Sequence, residues 1–172
     1  MASNVSASGA GRIAAAFERA RREGRAALIP YLCLGYPTPE TSLALAEAAI
    51  AGGADVLELG VPFSDPLADG PVIQHAAHTA LQGGMTVARC LEMAQDLRGR
   101  GIETPLVFMG YYNPILAFGE QAFCRACQQA KVDGLIVPDL PPEEGEALER
   151  ACEAHGLALI YLLAPTSTPE RI

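Results

Sequence analysis

Apolar residues fall into two arrangements that alternate along the chain. Short continuous runs occupy residues 27–34, 55–60, 105–110, 134–137 and 157–163. Continuity, rather than apolar/polar alternation, predicts strands buried on both faces, as in a parallel sheet. Between them lie alanine-rich stretches with helical spacing at 40–51, 73–81, 87–98, 121–131 and 143–154. Thr38 before Pro39 reads as a helix N-cap with proline at the first helical position, and Thr86 and Thr168 with Pro169 repeat the device. Gly52-Gly53, Gly99 and Gly156 fall where a left-handed residue closes a helix. Arg19, Arg21, Arg22 and Arg25 alternate with Glu18 and Glu23, which predicts a solvated face on a first helix. A β-α order of this kind specifies the α/β class and a parallel sheet.

Composition narrows the picture. At 172 residues the chain predicts one domain, and 50% apolar with 19% charged residues is enough to bury a core. The net charge of −8, with Lys131 the single lysine, leaves no basic stripe to follow a nucleic-acid backbone. No stretch approaches the ~18 uninterrupted apolar residues of a membrane span, and residues 1–11 lack the apolar segment of a secretion signal. Those eleven residues are expected to be a disordered tail ahead of a domain over 12–172. Five cysteines, Cys33, Cys90, Cys124, Cys127 and Cys152, sit in apolar or helical segments and predict reduced thiols in a cytoplasm. The closing Thr168-Pro169-Glu170-Arg171-Ile172 reads as a helix start with nothing after it, so the sequence is expected to be part of a longer one.

Parallel β/α units build either an open doubly wound sheet or an eight-stranded barrel of about 250 residues. Five strands suit the open sheet by count, yet no Gly-x-Gly-x-x-Gly turn follows the first strand. Periodicity and composition leave that choice open.

The most unusual stretch is Leu57-Glu58-Leu59-Gly60-Val61-Pro62-Phe63-Ser64-Asp65-Pro66-Leu67-Ala68-Asp69-Gly70-Pro71. A strand ends in a glutamate and enters a loop with two further aspartates and three prolines before the next helix. In a βα barrel the C-terminal strand ends and the loops after them form the active-site mouth, which would gather Glu58, Asp65 and Asp69 at one rim. A carboxyl at an apolar strand end has its charged form penalised, which suits Glu58 to carry protons near neutral pH. Asp69, beside Gly70, suits a fixed anion or hydrogen-bond acceptor. The competing reading has these acids capping the following helix and holding a proline-stiffened loop.

The run from Leu57 to Pro71 with Ile73-Gln74 resembles the signature of the tryptophan synthase alpha subunit family. So do Pro30-Tyr31 with Gly35-Tyr36-Pro37, Met109-Gly110-Tyr111-Tyr112-Asn113-Pro114-Ile115, and Val132-Asp133-Gly134-Leu135-Ile136-Val137-Pro138-Asp139-Leu140-Pro141. The likeness covers nearly the whole chain after residue 11. It implies a TIM (β/α)8 barrel, here about its first five β/α units, and retro-aldol cleavage of indole-3-glycerol phosphate to indole and glyceraldehyde 3-phosphate. By resemblance Glu58 is the acid/base group and Asp69 the carboxylate facing the ring N–H. Tyr31, Met109, Tyr111, Ile136 and Leu162 match positions that wall the indole pocket. The resemblance also implies no cofactor in this chain and a beta subunit carrying pyridoxal phosphate in an alpha2 beta2 tetramer. Pro62, Phe63, Asp65, Asn113 and Phe118 are the expected contacts to it. The family's late phosphate-binding loops have no counterpart here, so low activity of the chain alone is expected.

Other readings compete with that one. The chain could act only as a binding module for the beta subunit, or as a stand-alone indole-3-glycerol-phosphate lyase. His75 and His78 share a helix face and could belong to a metal site, although the nearby acids lie in another loop; no metal is expected. Cys124-Arg125-Ala126-Cys127 has the spacing of a redox motif but lies inside a helical stretch, which favours a structural role.

Overall fold

A computed structural model of the chain describes residues 8–169. Five strands form one parallel sheet in sequence order: β1 (Tyr31–Cys33), β2 (Leu57–Gly60), β3 (Leu106–Met109), β4 (Gly134–Ile136) and β5 (Ala158–Ile160). Helix α1 (Gly9–Arg22) precedes the sheet, and α2 (Pro39–Ala51) links β1 to β2. Helices α3 (Pro71–Gln82) and α4 (Val87–Gly99) link β2 to β3, and α5 (Tyr112–Phe118) and α6 (Glu120–Gln129) link β3 to β4. A 3-10 turn (Pro142–Glu144) and α7 (Glu146–Ala154) lead into β5. This is the α/β architecture of the first five β/α units of a TIM barrel.

Register divides the sheet into two faces. Leu32, Leu59, Phe108, Leu135 and Leu159 stand in one row across all five strands and pack on the outer helices in the main core. The other face carries a row of Tyr31, Glu58, Val107, Gly134 and Ala158, and above it Cys33, Gly60, Met109, Ile136 and Ile160. Apolar runs were continuous because both faces are occupied. At the N-terminal end of the inner face, α1 lays Ile13 and Ala16 against Val56, Val107, Ile136 and Ile160. A Cβ on Gly9 would sit 1.7 Å from the Asp133 carbonyl oxygen, so only glycine allows α1 to approach β4 this closely. The opposite, C-terminal end of that face is open.

The sequence markers hold with small shifts. Thr38 and Thr86 cap α2 and α4, accepting from the Thr41 and Arg89 backbone N–H groups. The strands are shorter than the apolar runs because the flanking residues turn out of the ladder. Gly53 and Gly156 are left-handed as expected, but after α4 that position belongs to Gly101 rather than Gly99. The stretch at 143–154 is broken at Gly145, where the 3-10 turn gives way to α7. Helix α5 was not foreseen, since its seven residues, with Pro114 among them, are too few for a period to show. Of the tail expected over 1–11, residues 8–11 instead begin α1: Ser8 caps it by accepting from Gly11 N, and Gly9 N donates to Gly156 O at 2.8 Å, while residues 1–7 lie outside the described residues. The helix expected after Pro169 lies outside the described residues.

The arginine cluster holds in part: Arg19, Arg21 and Arg22 are exposed on α1 as expected, but two of the arginines also reach a buried carboxylate. Arg25 lies beyond α1 and grips Asp55 through both guanidinium nitrogens, at 2.6 and 2.9 Å, and Arg19 adds a third contact at 3.1 Å. Asp55 is 1% exposed and also accepts from Leu28 N. Its carboxyl lies well below the usual carboxylate range, chiefly through the Arg25 hydrogen bonds and then the Leu28 N–H. Asp133 forms a matching node at the start of β4, with Arg12 at 2.7 Å, Arg98 at 2.6 Å and the Leu106 N–H at 2.8 Å. The two buried aspartates tie neighbouring strand starts together and so fix the register that lines up the inner rows.

Candidate active site

Glu58 occupies the second residue of β2, on the inner face and in register with Tyr31 and Val107. It is half-buried, and burial pushes its carboxyl up from the ordinary glutamate value. Two residues on, Gly60 makes room for Tyr31, whose hydroxyl would lie 2.1 Å from a Cβ at that position. The Tyr31 ring therefore lies across β2, with Glu58, Asp69, Cys33 and Tyr111 as its charged or ionisable neighbours. Burial, then those neighbours, push the phenol up and keep it neutral.

The loop between β2 and α3 brings Asp69 to the same rim. Buried Tyr111, just past β3, accepts from Ala68 N at 3.0 Å, and its ring packs on Phe63 with centroids 5.5 Å apart. Gln74 holds the Asp69 carbonyl at 2.8 Å. Burial raises the Tyr111 phenol first, opposed by the Ala68 N–H, with the facing Asp69 carboxylate adding to the rise. Asp69 also contributes to the Cys33 thiol being pushed up to about 11, behind burial. The structure thus gathers Glu58 and Asp69 around Tyr31, Cys33 and Tyr111. The capping reading fails for this loop, because Gly70 is the N-cap of α3 and makes no side-chain cap hydrogen bond.

The other expected residues divide. Met109 and Ile136 stand side by side on the inner face at the mouth, both partly exposed. Leu162 lies beyond β5 and is 59% exposed, apart from the group. Asp65 is exposed and takes a hydrogen bond from Ser64, so it is not one of the converging acids. Pro62 is buried within the chain, which corrects its expected place on a docking surface; Asn113 and Phe118 are exposed and Phe63 is partly so. Phe118 also packs edge-on against Phe123 at 5.9 Å. Cys33, Gly60 and Asp139 escaped the sequence reading. Asp139 accepts from the Tyr112 N–H at 3.0 Å and fastens α5 to the loop after β4. Its signal was the polar residue just beyond a buried strand.

His75 and His78 are exposed, and His75 packs edge-on against Tyr36. Among the described residues no three His, Cys, Asp or Glu side chains come together as a metal site, and no helix is long and apolar enough to cross a membrane.

Comparison with known proteins identifies the family and the fold. The family model described as tryptophan synthase alpha chain matches residues 17–172. Tryptophan synthase alpha chain of Roseiflexus sp. (strain RS-1) is 53% identical over 161 residues, covering 94% of this chain and 62% of the relative. That of Opitutus terrae is 52% identical, with 94% and 60% covered. The crystal structure of tryptophan synthase subunit alpha from Legionella pneumophila str. Paris superposes with a TM-score of 0.90 at 42% identity, covering 93% of this chain and 61% of that one. A structure of tryptophan synthase from M. tuberculosis, described as an aminoacrylate- and BRD0059-bound form, gives 0.88 at 43%, with 93% and 64% covered. The chain thus spans about three fifths of the length of these relatives, and over that length it belongs to the tryptophan synthase alpha chain family.

Proposed function

We propose that this chain supplies the acid/base centre of a lyase that cleaves indole-3-glycerol phosphate to indole and glyceraldehyde 3-phosphate. One observation carries the reading: a half-buried carboxyl with a raised pKa, Glu58, shares a rim with a second carboxylate, Asp69, held on a tyrosine-anchored loop. Retro-aldol cleavage needs a proton at the indole carbon that bears the side chain and then removal of a proton from the adjacent glycerol hydroxyl. Glu58, protonated at the start, delivers the first and as the resulting carboxylate accepts the second, while the carbon–carbon bond breaks to leave the aldehyde. The ring becomes cationic between those steps, and Asp69 is the fixed anion for its N–H. Tyr31, Met109, Tyr111 and Ile136 give the site its apolar wall; Leu162, exposed beyond β5, stands apart from it. The chemistry asks for no cofactor in this chain.

Indole is the neutral product, and a partner beta subunit with pyridoxal phosphate would consume it in an alpha2 beta2 assembly in the cytoplasm. The exposed docking candidates on the rim are Asp65, Asn113 and Phe118, with Phe63 beside them. Pro62 and Phe118 also serve the chain's own packing, so Asp65→Arg with Asn113→Arg is the cleaner probe. That double variant should co-purify with the beta subunit several-fold less well while its circular dichroism stays unchanged, and undiminished complex formation would remove this surface. The lyase reading itself is tested by supplying indole-3-glycerol phosphate, with beta subunit present, and measuring indole. No indole above the protein-free rate would overturn it.

A further inference from the structure

The thiol partner of Cys124 in α6 is Cys152 of α7, not the CxxC-spaced Cys127. Cys124 Sγ lies 3.8 Å from Cys152 Sγ, across the contact between α6 and α7, while Cys127 sits one turn further along α6. All three thiols are buried and free. We propose that Cys124 and Cys152 form an oxidative modification site, in which a small disulfide of the glutathione class converts the pair into an intramolecular disulfide.

The geometry supports that pair over its neighbours. The two sulfurs need to close by about 1.8 Å to reach the ~2.05 Å of a disulfide, a distance within reach of side-chain rotation and a slight slide of α7. Cys124 and Cys127 stand one turn apart on the same helix, whereas the thiol hydrogen bond of Cys124 runs across to Cys152. The shared hydrogen bond between Cys124 and Cys152 eases ionisation of Cys124 and makes Cys152 the harder thiol to ionise, with burial opposing both. Oxidant reaches the pair through local opening of α7, a nine-residue helix that starts at Gly145 with no side-chain cap.

The exchange balances in two steps. Cys124 thiolate attacks one sulfur of the small disulfide, forming a mixed disulfide and expelling one thiolate. Cys152 thiolate then attacks the Cys124 sulfur and expels the second, so two protein thiols lose two electrons and the small disulfide becomes two thiols, which take up the two protons. The new bond joins residues 28 apart in sequence, enclosing β4 and the 3-10 turn. It restrains the unfolded chain and should raise Tm by roughly 5–10 °C.

The test treats the purified 172-residue chain with oxidised glutathione, blocks remaining thiols under denaturing conditions and maps the peptides by mass. The expected result is a Cys124–Cys152 linked peptide lighter by two hydrogens, a higher Tm, reversal by dithiothreitol, and survival of the link in Cys127→Ala. The proposal fails if all five thiols are blocked, if Cys127 carries the link, or if glutathione remains on Cys124 without resolving. The wild-type map decides by itself should a variant fold poorly, and no outcome depends on lyase activity.

Discussion

In a completed barrel, Glu58→Gln should lower indole release from indole-3-glycerol phosphate by about a hundredfold or more, and Asp69→Asn should do comparable damage. A hundredfold corresponds to about 2.7 kcal/mol of transition-state stabilisation, within the range expected for removing a positioned proton carrier. Glutamine keeps the shape of Glu58 and loses only the ability to give and take a proton, so the half-buried site on β2 stays filled. The asparagine side chain in place of Asp69 would still fit beside Tyr111 but would carry no charge for the cationic ring. The two losses should differ in kind: Glu58→Gln should lower kcat and kcat/KM equally, whereas Asp69→Asn should also raise KM, so that kcat/KM falls further than kcat. Indole production measured under saturating and limiting substrate checks this. Near wild-type turnover in either variant would remove that residue from the mechanism.

The largest effect on stability should come from Asp133→Ala, at about 3–5 kcal/mol. Asp133 and Arg98 have side chains only 5% and 6% exposed, and burial raises the carboxyl and lowers the guanidinium despite their pairing. Each charge is tolerable because the other is present. Alanine would leave the Leu106 N–H without its acceptor and Arg98 with only the carbonyls of Lys131, Ile102 and Thr104. Urea unfolding should show a lower midpoint at an unchanged slope, whereas Arg100→Ala, which removes an exposed pair with Glu47, should change stability by under about 1 kcal/mol. A cost for Asp133→Ala as small as that of Arg100→Ala would mean the node is not holding β3 to β4.

These residues also mark what could be read from sequence and what could not. Continuous apolar runs announced the parallel strands because both faces of the sheet carry mostly apolar residues, as Leu59 and Val107 illustrate, Glu58 being the exception. Thr38 and Thr86 announced helix starts because capping is local chemistry between residues three apart. Glu58 stood out as a carboxyl at an apolar strand end. The Arg25–Asp55 and Arg98–Asp133 pairs were not legible, since they join residues 30 and 35 apart that meet only when neighbouring strands align. The same distance hid the Cys124–Cys152 contact behind the nearer Cys127. Pro62 was misplaced at the surface because a proline-rich loop looks exposed in sequence, while Tyr111 draws this one inward.

The pH dependence of indole release is the most direct test of Glu58 as the proton carrier. Burial raises the Glu58 carboxyl above the ordinary glutamate value, and the proposed mechanism starts from its protonated form. Activity should therefore fall as pH rises through that raised pKa, an alkaline limb lying higher than a solvated glutamate would give. Glu58→Gln should abolish the limb and leave a low, flat residual rate over the same range. A limb that persists unchanged in Glu58→Gln would place the proton on another group and contradict the mechanism.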